Sequence, residues 1–273
     1  MENKILAIYA ESQIHAGKGS DVGIVDQPIQ REKATGFPII QGIKGAIRAS
    51  KLINEREREV FGNKPQAEKE DLAGSVVFSE AKILAFPVRS PEAVFVWITC
   101  PMVLARLYRV KKISGVTIPS IGENKAIVSN SEMLASGRLP LEEIEIEAAV
   151  NPEATKWATA LSGLTPDDTM KEHMEKNFAI VSNKTFQNLV TTATEVIPRI
   201  RIDEKTGTAA SGALWYEEYL PQDTILYCIL RNASVTGENL LDATVKALDG
   251  QMITIGGNET VGKGLVFLKV MGG

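Results

Sequence analysis

Asp26 sits in the block VDQPIQRE (residues 25–32), ahead of a Gln27–Pro28 turn and close in sequence to Lys18, Arg31 and Lys33. A carboxylate in that setting can bind a divalent metal, assist proton transfer at a phosphodiester, or cap a turn through its own backbone. His15 is one of only two histidines. It is either a general acid or base or a structural hydrogen bonder. Lys44, Arg48 and Lys51 recur at i, i+4 and i+7, a helix face that either meets solvent or tracks a phosphate backbone. Each phosphate contact would steepen the salt dependence of binding by roughly 0.7–0.9 log units per log salt.

Two further segments carry chemistry-bearing residues. The hairpin pattern IRIDEKTGTAASGALWYEEYLP (residues 200–221), with Arg199 just before it, sets Arg199 and Arg201 on one arm and Trp215, Tyr216, Glu217 and Tyr219 on the other. Aromatic residues on such arms pack across the strands, or wedge between bases and unstack them. Near the end, residues 257–263 fit the G-x-x-x-x-G-K spacing of a phosphate loop, but Gly264 stands where a Ser or Thr should ligate Mg²⁺. An apolar strand-like run, LVFLKV, follows where a helix N-terminus is needed. The segment reads as a hairpin turn, or as a glycine-rich loop with Gly262 and Lys263 that lets a nucleic-acid backbone approach closely.

Composition narrows the classes. The 273 residues are 44% hydrophobic and 23% charged, ordinary globular values that exclude disorder, collagen and coiled coil for the whole chain. No apolar run approaches the ~18–20 residues of a membrane span, and MENKILAIYAES turns polar too soon for a signal peptide. Two cysteines, Cys100 and Cys228, lie inside apolar runs and read as buried thiols of a reducing cytoplasm. With two histidines and two cysteines, a zinc site built from His and Cys is nearly excluded. The net charge of −4 speaks against nucleic acid until it is mapped. Residues 15–51 hold six bases against three acids, and residues 140–180 hold nine acids against three bases.

The elements that must position these residues follow from periodicity. Residues 4–10 read as a central strand, and residues 12–42 as a long irregular stretch whose length implies function or disorder. Its specific content argues against disorder. Residues 43–60 read as a helix, 75–88 and 93–100 as strands, and 102–113 as a helix. That order suits a ferredoxin-like sheet with helices on one face. Residues 139–150 alternate like one strand, 152–161 form a short helix, and this acidic region reads as an insertion. Strands are expected at 178–183, 196–203, 213–220, 223–232, 251–257 and 263–270, with helices at 184–194 and 238–250.

Three stretches taken together, residues 15–48, 194–221 and 256–266, resemble the RAMP superfamily of CRISPR-associated proteins. More narrowly they resemble the backbone subunit of the type III-B (Cmr) effector complex, with VDQPIQRE as the most specific block. The resemblance implies an α+β fold: a modified ferredoxin-like (RRM-like) palm over residues 1–273, a lid inserted at about 115–177 and a β-hairpin thumb at 196–222. It implies copies arranged head-to-tail along a crRNA, with other Cmr subunits as partners: the large polymerase-like subunit, the small helical subunit and RAMP caps. No membrane is implied.

The implied activity is cleavage of complementary target RNA at regular intervals of about six nucleotides, with sequence read by base pairing. A ribose 2′-OH would attack the adjacent phosphate, leaving a 2′,3′-cyclic phosphate and a 5′-OH, with a divalent metal (Mg²⁺ or Mn²⁺) as cofactor. Asp26 corresponds to the family's catalytic aspartate and metal-holding residue, with His15, Glu217 and Tyr219 as accessories. Lys18, Lys44, Arg48, Lys51, Gly262 and Lys263 would bind crRNA, and Arg199, Arg201 and Trp215 would meet the target. The alternative is an architectural RNA-binding subunit that does not cut.

Overall fold

The computed structural model describes residues 3–19, 25–63, 73–202, 207–233 and 239–272. Residues 20–24 of the signature and 203–206 at the expected hairpin tip lie outside the described residues. In chain order the strands are β1 (Asn3–Ala10), β2 (Ile39–Ile40), β3 (Val76–Phe78), β4 (Ala81–Ser90), β5 (Val94–Thr99), β6 (Lys125–Val128) and β7 (Arg138–Leu141). They continue with β8 (Ile144–Val150), β9 (Phe178–Val181), β10 (Glu195–Ile202), β11 (Ala209–Tyr219), β12 (Ile225–Asn232), β13 (Met252–Thr254) and β14 (Leu265–Val270). The helices are α1 (Ile43–Ala49), α2 (Glu57–Phe61), α3 (Pro101–Val110), α4 (Pro152–Ser162), α5 (Asp168–Lys176), α6 (Asn183–Thr192) and α7 (Leu241–Leu248).

β1 buries six consecutive residues, Ile5 to Ala10, the continuous apolar run that a strand covered on both faces requires. It lies between β12 and β14, antiparallel to both. The order β14-β1-β12-β4 is that of a ferredoxin-like βαββαβ unit, made of β1, α1, β4, β12, α7 and β14. The third palm strand is therefore β12, not the β5 run that follows β4 in sequence.

β4 belongs to two neighbourhoods. Residues Lys82 to Ala85 pair with β12, whereas Phe86 to Ser90 pair with β5. The second half leads into β5-β9-β6-β8-β7, which completes a continuous path of ten strands among the described residues, with β2 beside β4 and β3 beside β12 making the sheet twelve-stranded. The whole stretch between β4 and β12 is thus inserted into the palm, and β10 with β11 projects from it as a separate two-stranded sheet.

Three sequence expectations are corrected, the first being residues 75–88, which form two strands, β3 and β4, parted at Ser79 and Glu80. Residues 43–60 are not one helix: the Ser50 hydroxyl donates to the Ile47 carbonyl at 2.7 Å, and Lys51 turns left-handed at φ 64°. Such a residue ends a helix, and α2 starts afresh at Glu57. Residues 139–150 are not one strand but the hairpin β7–β8, with Leu141 opposite Ile144 and Glu142 at φ 50°. The alternation of acids and apolar residues continues through the turn and hides it. Helix α5 was not expected, because its composition is mostly polar and buries only Met174. Cys100 and Cys228 are buried free thiols, as expected.

Candidate functional site at the foot of the hairpin

The candidate residues converge where β11 enters the body of the protein. One edge of β11 pairs with β10, and the lower part of its other edge receives residues from the long N-terminal stretch. The Gln27 N–H donates to the Tyr216 carbonyl at 3.0 Å, and the Glu218 N–H donates to the Gln27 carbonyl at 3.0 Å. Ile14 and Leu220 exchange backbone bonds just below, at 3.0 and 2.9 Å. In this short ladder the Asp26 side chain does what a backbone carbonyl would: its Oδ2 accepts the Tyr216 N–H at 2.7 Å. Asp26 is exposed, and Oδ1 has no partner among the described residues.

Alternation along β11 sends successive side chains to opposite faces. Glu217, 4% exposed, accepts from Trp215 Nε1 at 2.7 Å, from Asn258 Nδ2 at 2.8 Å and from the Tyr219 hydroxyl, and Arg199 Nε lies 3.7 Å away. Burial by itself would raise this carboxyl pKa. The hydrogen bonds from Tyr219 and Trp215 and the nearby Arg199 and His15 outweigh it and hold the pKa below the ordinary carboxylate value. The same cluster pushes the Tyr219 hydroxyl up to about 12, first through burial and then through its bond to Glu217.

Glu218 faces the other way and is 6% exposed. Its Oε1 accepts from Arg31 Nη2 at 2.5 Å and from the Thr194 hydroxyl at 2.8 Å, and its Oε2 accepts from the Ile29 N–H at 3.0 Å. Arg31 also donates to the carbonyls of Gly36 and Val190, at 3.0 and 2.9 Å. Next to it, Glu32 holds Arg106 of α3 through both carboxylate oxygens, at 2.9 and 2.8 Å.

His15 Nδ1 lies 2.8 Å from the Glu218 carbonyl, which only accepts, so Nδ1 carries the proton. In the neutral ring Nε2 is then the free acceptor. It lies against Gly17, where a Cβ would come within 2.7 Å of it, so a side chain there would have to displace the ring. The His15 ring sits 5.3 Å from that of Tyr219. A polar cleft of about 560 Å³ opens beside it, lined by His15, Gly17, Gln27, Gln30, Gln41 and Gly257 among others.

The fold brings Asp26, His15, Glu217 and Tyr219 to one foot, although the Asp26 carboxylate contacts the hairpin backbone rather than the Glu217 network. The terminal loop reaches the same place. Lys263 lies over the Tyr219 ring at 5.2 Å and donates to Gln13 Oε1, and the Gly257 N–H donates to the His15 carbonyl at 2.8 Å. Gly264 approaches Ile255 so closely that a Cβ would fall 2.2 Å from its carbonyl oxygen. Gly256 and Gly264 serve strand packing, and a phosphate-loop helix is replaced by β14. Gly262, at φ 78°, is exposed beside it.

The expected basic face is divided. Lys18 and Lys44 are exposed, but Arg48 donates to Glu57 at 2.7 Å and to the Gly62 carbonyl at 3.1 Å, and Lys51 lies 3.4 Å from Glu57. Arg199 stands opposite Trp215 across the hairpin, Arg201 is exposed, and Val196, Ile200, Leu214 and Tyr216 are 39–56% exposed. Sequence reasoning missed Gln13, Asn258, Thr194, Arg31 and Glu218 as members of the site. Only the Glu217–Glu218 pair carried a signal, since two adjacent acids on a strand must serve opposite faces.

Comparison with known proteins agrees with this architecture. The RAMP superfamily profile matches residues 7–266. The chain is 35% identical over 287 aligned positions to the CRISPR system Cmr endoribonuclease Cmr4 of Pyrococcus furiosus, covering 97% of this chain and 95% of that one. The crystal structure of oligomeric Cmr4 from Pyrococcus furiosus superposes with a TM-score of 0.77 at 28% identity, covering 99% and 98% of the two chains. A chain from the type III-B Cmr-beta complex bound to cognate target RNA shares the fold, with a TM-score of 0.75 at 22% identity over 99% of this chain and 98% of that one. The chain belongs to the RAMP superfamily and, within it, to the Cmr4 group.

Proposed function

We propose that this chain is the repeating, crRNA-binding backbone subunit of a type III-B CRISPR effector and that it cuts target RNA at Asp26. The observation that carries the site is the Asp26 carboxylate, tied by one oxygen to the hairpin backbone with the other oxygen open. The relative at 35% identity, named an endoribonuclease, supports the reaction class. The oligomeric relative supports assembly of copies. Residues 196–222 act as the thumb and residues 115–177 as the lid. Other Cmr subunits complete the complex.

In the reaction a ribose 2′ oxygen forms a bond to the adjacent phosphorus and the bond from phosphorus to the 5′ oxygen breaks. The 2′ proton leaves to a base and the 5′ oxygen gains a proton, giving a 2′,3′-cyclic phosphate and a 5′-OH. Splaying the nucleotide aligns the attack, and alignment supplies a large part of such catalysis. The open oxygen of Asp26 is suited to receive the 2′ proton, a role worth typically ~10²–10⁴-fold. His15, through Nε2, and the buried Glu217 and Tyr219 complete the foot around it.

A divalent cation, Mg²⁺ or Mn²⁺, also suits an open carboxylate oxygen, because Mg²⁺ binds through one or two carboxylates with water and substrate phosphate. No group of three or more His, Cys, Asp or Glu side chains fit for a metal occurs among the described residues, so Asp26 would hold the ion together with the RNA. Bound there, it would supply positive charge to the phosphoryl oxygens.

The crRNA backbone is held by Lys18, Lys44, Gly262 and Lys263, and by Arg48 and Lys51 where they turn from Glu57. Arg199, Arg201 and Trp215 meet the target. Among the described residues no helix is long and apolar enough to cross a membrane, and we place the protein in the cytoplasm, where free thiols persist.

The test is a complex assembled on a guide RNA and given complementary RNA with Mg²⁺. The wild-type complex should give a ladder of evenly spaced cuts. Asp26→Ala should bind target equally and cut at least ~10²-fold more slowly. Equal cutting would remove Asp26 from the reaction, and a wild-type complex that binds without cutting would make the subunit architectural.

A further inference from the structure

We infer that Glu218 and Arg31 form a positioning pair that sets where Asp26 presents its open oxygen, an inference that rests on the reading of Asp26 above. The Asp26 side chain has a single attachment among the described residues, Oδ2 to the Tyr216 N–H. Its location therefore follows from the register of residues 26–31 along the edge of β11. Backbone bonds do not select that register. The ladder of Gln27 with Tyr216 and Glu218 would form equally well two residues along, because every residue other than proline offers one N–H and one C=O.

The Glu218 side chain adds a register-specific hold to those of the buried Ile29 and of Gln30, which donates to the Gly17 carbonyl and accepts from the Gln41 N–H. While the Glu218 N–H binds the Gln27 carbonyl, its carboxylate grips residues two and four further on. Oε2 takes the Ile29 N–H at 3.0 Å and Oε1 takes Arg31 at 2.5 Å. A one-residue slip would bring Pro28, which has no N–H, to this buried carboxylate, and a two-residue slip would pull the Arg31 side chain away from it. Arg31 in turn is pinned by the carbonyls of Gly36 and Val190, and Thr194 pins Glu218 from the foot of the hairpin. The pair thus ties the VDQPIQRE block to α6, to Thr194 just before β10, and to β11. Neither side chain touches Asp26, so both act on the reaction through position alone.

The consequence is measurable as cleavage per bound target. A displacement of about 1 Å at a reacting group can cost 10²-fold in rate. In guide-loaded complexes with saturating target, Arg31→Ala and Glu218→Ala should each slow single-turnover cleavage roughly 10–100-fold while target affinity stays within about twofold. Arg31→Lys keeps the charge but lacks the fork, and should fall between Arg31→Ala and wild type. The double variant should be no slower than the worse single one, and Arg31→Ala should add nothing in an Asp26→Ala background, as for residues acting as one unit.

The inference fails if the alanine variants cut bound target within twofold of wild type, or if cleavage falls only in proportion to lost binding. If those variants do not assemble, Arg31→Lys decides alone: several-fold slower cleavage supports the inference and a wild-type rate overturns it. If Asp26→Ala cuts normally, the underlying reading has failed, whatever Arg31 and Glu218 do.

Discussion

Two sets of carboxylates flank the short link between β11 and β12, and their pKa values move in opposite directions at its two ends. At the β11 foot, Glu217 is surrounded by donors and by Arg199, and its pKa is held down. A few residues on, Asp223 accepts from the Tyr9 hydroxyl, sits at φ 67°, and has Glu11 and Asp167 as charged neighbours of its cluster. Burial raises the Asp223 pKa, with the Tyr9 bond and His173 only partly offsetting it, and Glu11 is raised by burial, Asp223 and Asp167. A carboxylate is thus stabilised as an anion at one end of the link and penalised at the other. The partners decide the sign.

The largest effect expected from breaking this contrast is at Glu218. Glu218→Ala leaves Arg31 without its carboxylate and the buried Ile29 N–H without an acceptor. Denaturant unfolding at pH 7 should show a loss of about 2–3 kcal/mol, the range for charged hydrogen bonds, since Arg31 keeps two carbonyl partners. A change under ~0.5 kcal/mol would mean that the foot is not held by this pair.

Glu217→Gln comes next. An amide cannot accept from Trp215, Tyr219 and Asn258 together, so roughly 1–2 kcal/mol should be lost at neutral pH. Because the folded pKa of Glu217 lies below its unfolded value, its anionic contribution is complete above the unfolded value and is lost as pH falls through the folded one. The gap between variant and wild type should therefore close on acidification below about pH 4.5. A gap independent of pH would show that shape, not charge, matters there.

Asp223→Asn should act in the other direction and more weakly. Asparagine still accepts from Tyr9 and tolerates the left-handed backbone, while the half-buried charge disappears. A gain of up to about 1 kcal/mol is expected at pH 7. The raised folded pKa of Asp223 means that wild type recovers this stability by taking up a proton as pH falls through that value, so the gain should fade in acid. Thermal unfolding scanned across pH reads both curves, and equal pH dependence at the two ends of the link would dissolve the comparison.

Much of this was legible before folding. The apolar run of β1, the hairpin at residues 196–220 and the Asp26 block stood out because each carries its signal in neighbouring residues. The break at Ser50 and Lys51 did not, because Ile43, Ile47 and Val60 keep an apolar rhythm across a turn made by a left-handed lysine. The β7–β8 turn was concealed in the same way by glutamates that continue the alternation.

The resemblance singled out Asp26, and the sequence by itself determined the palm strands β1, β12 and β14 and that positive charge gathers in residues 15–51. Local periodicity and composition suffice for that. Tertiary structure alone decided that β12 rather than β5 completes the palm, that Arg48 spends its charge on Glu57, and that Glu218 closes on Arg31 across 187 residues of chain. Those outcomes depend on contacts between distant segments, whose energies exist only once the sheet has brought the segments together.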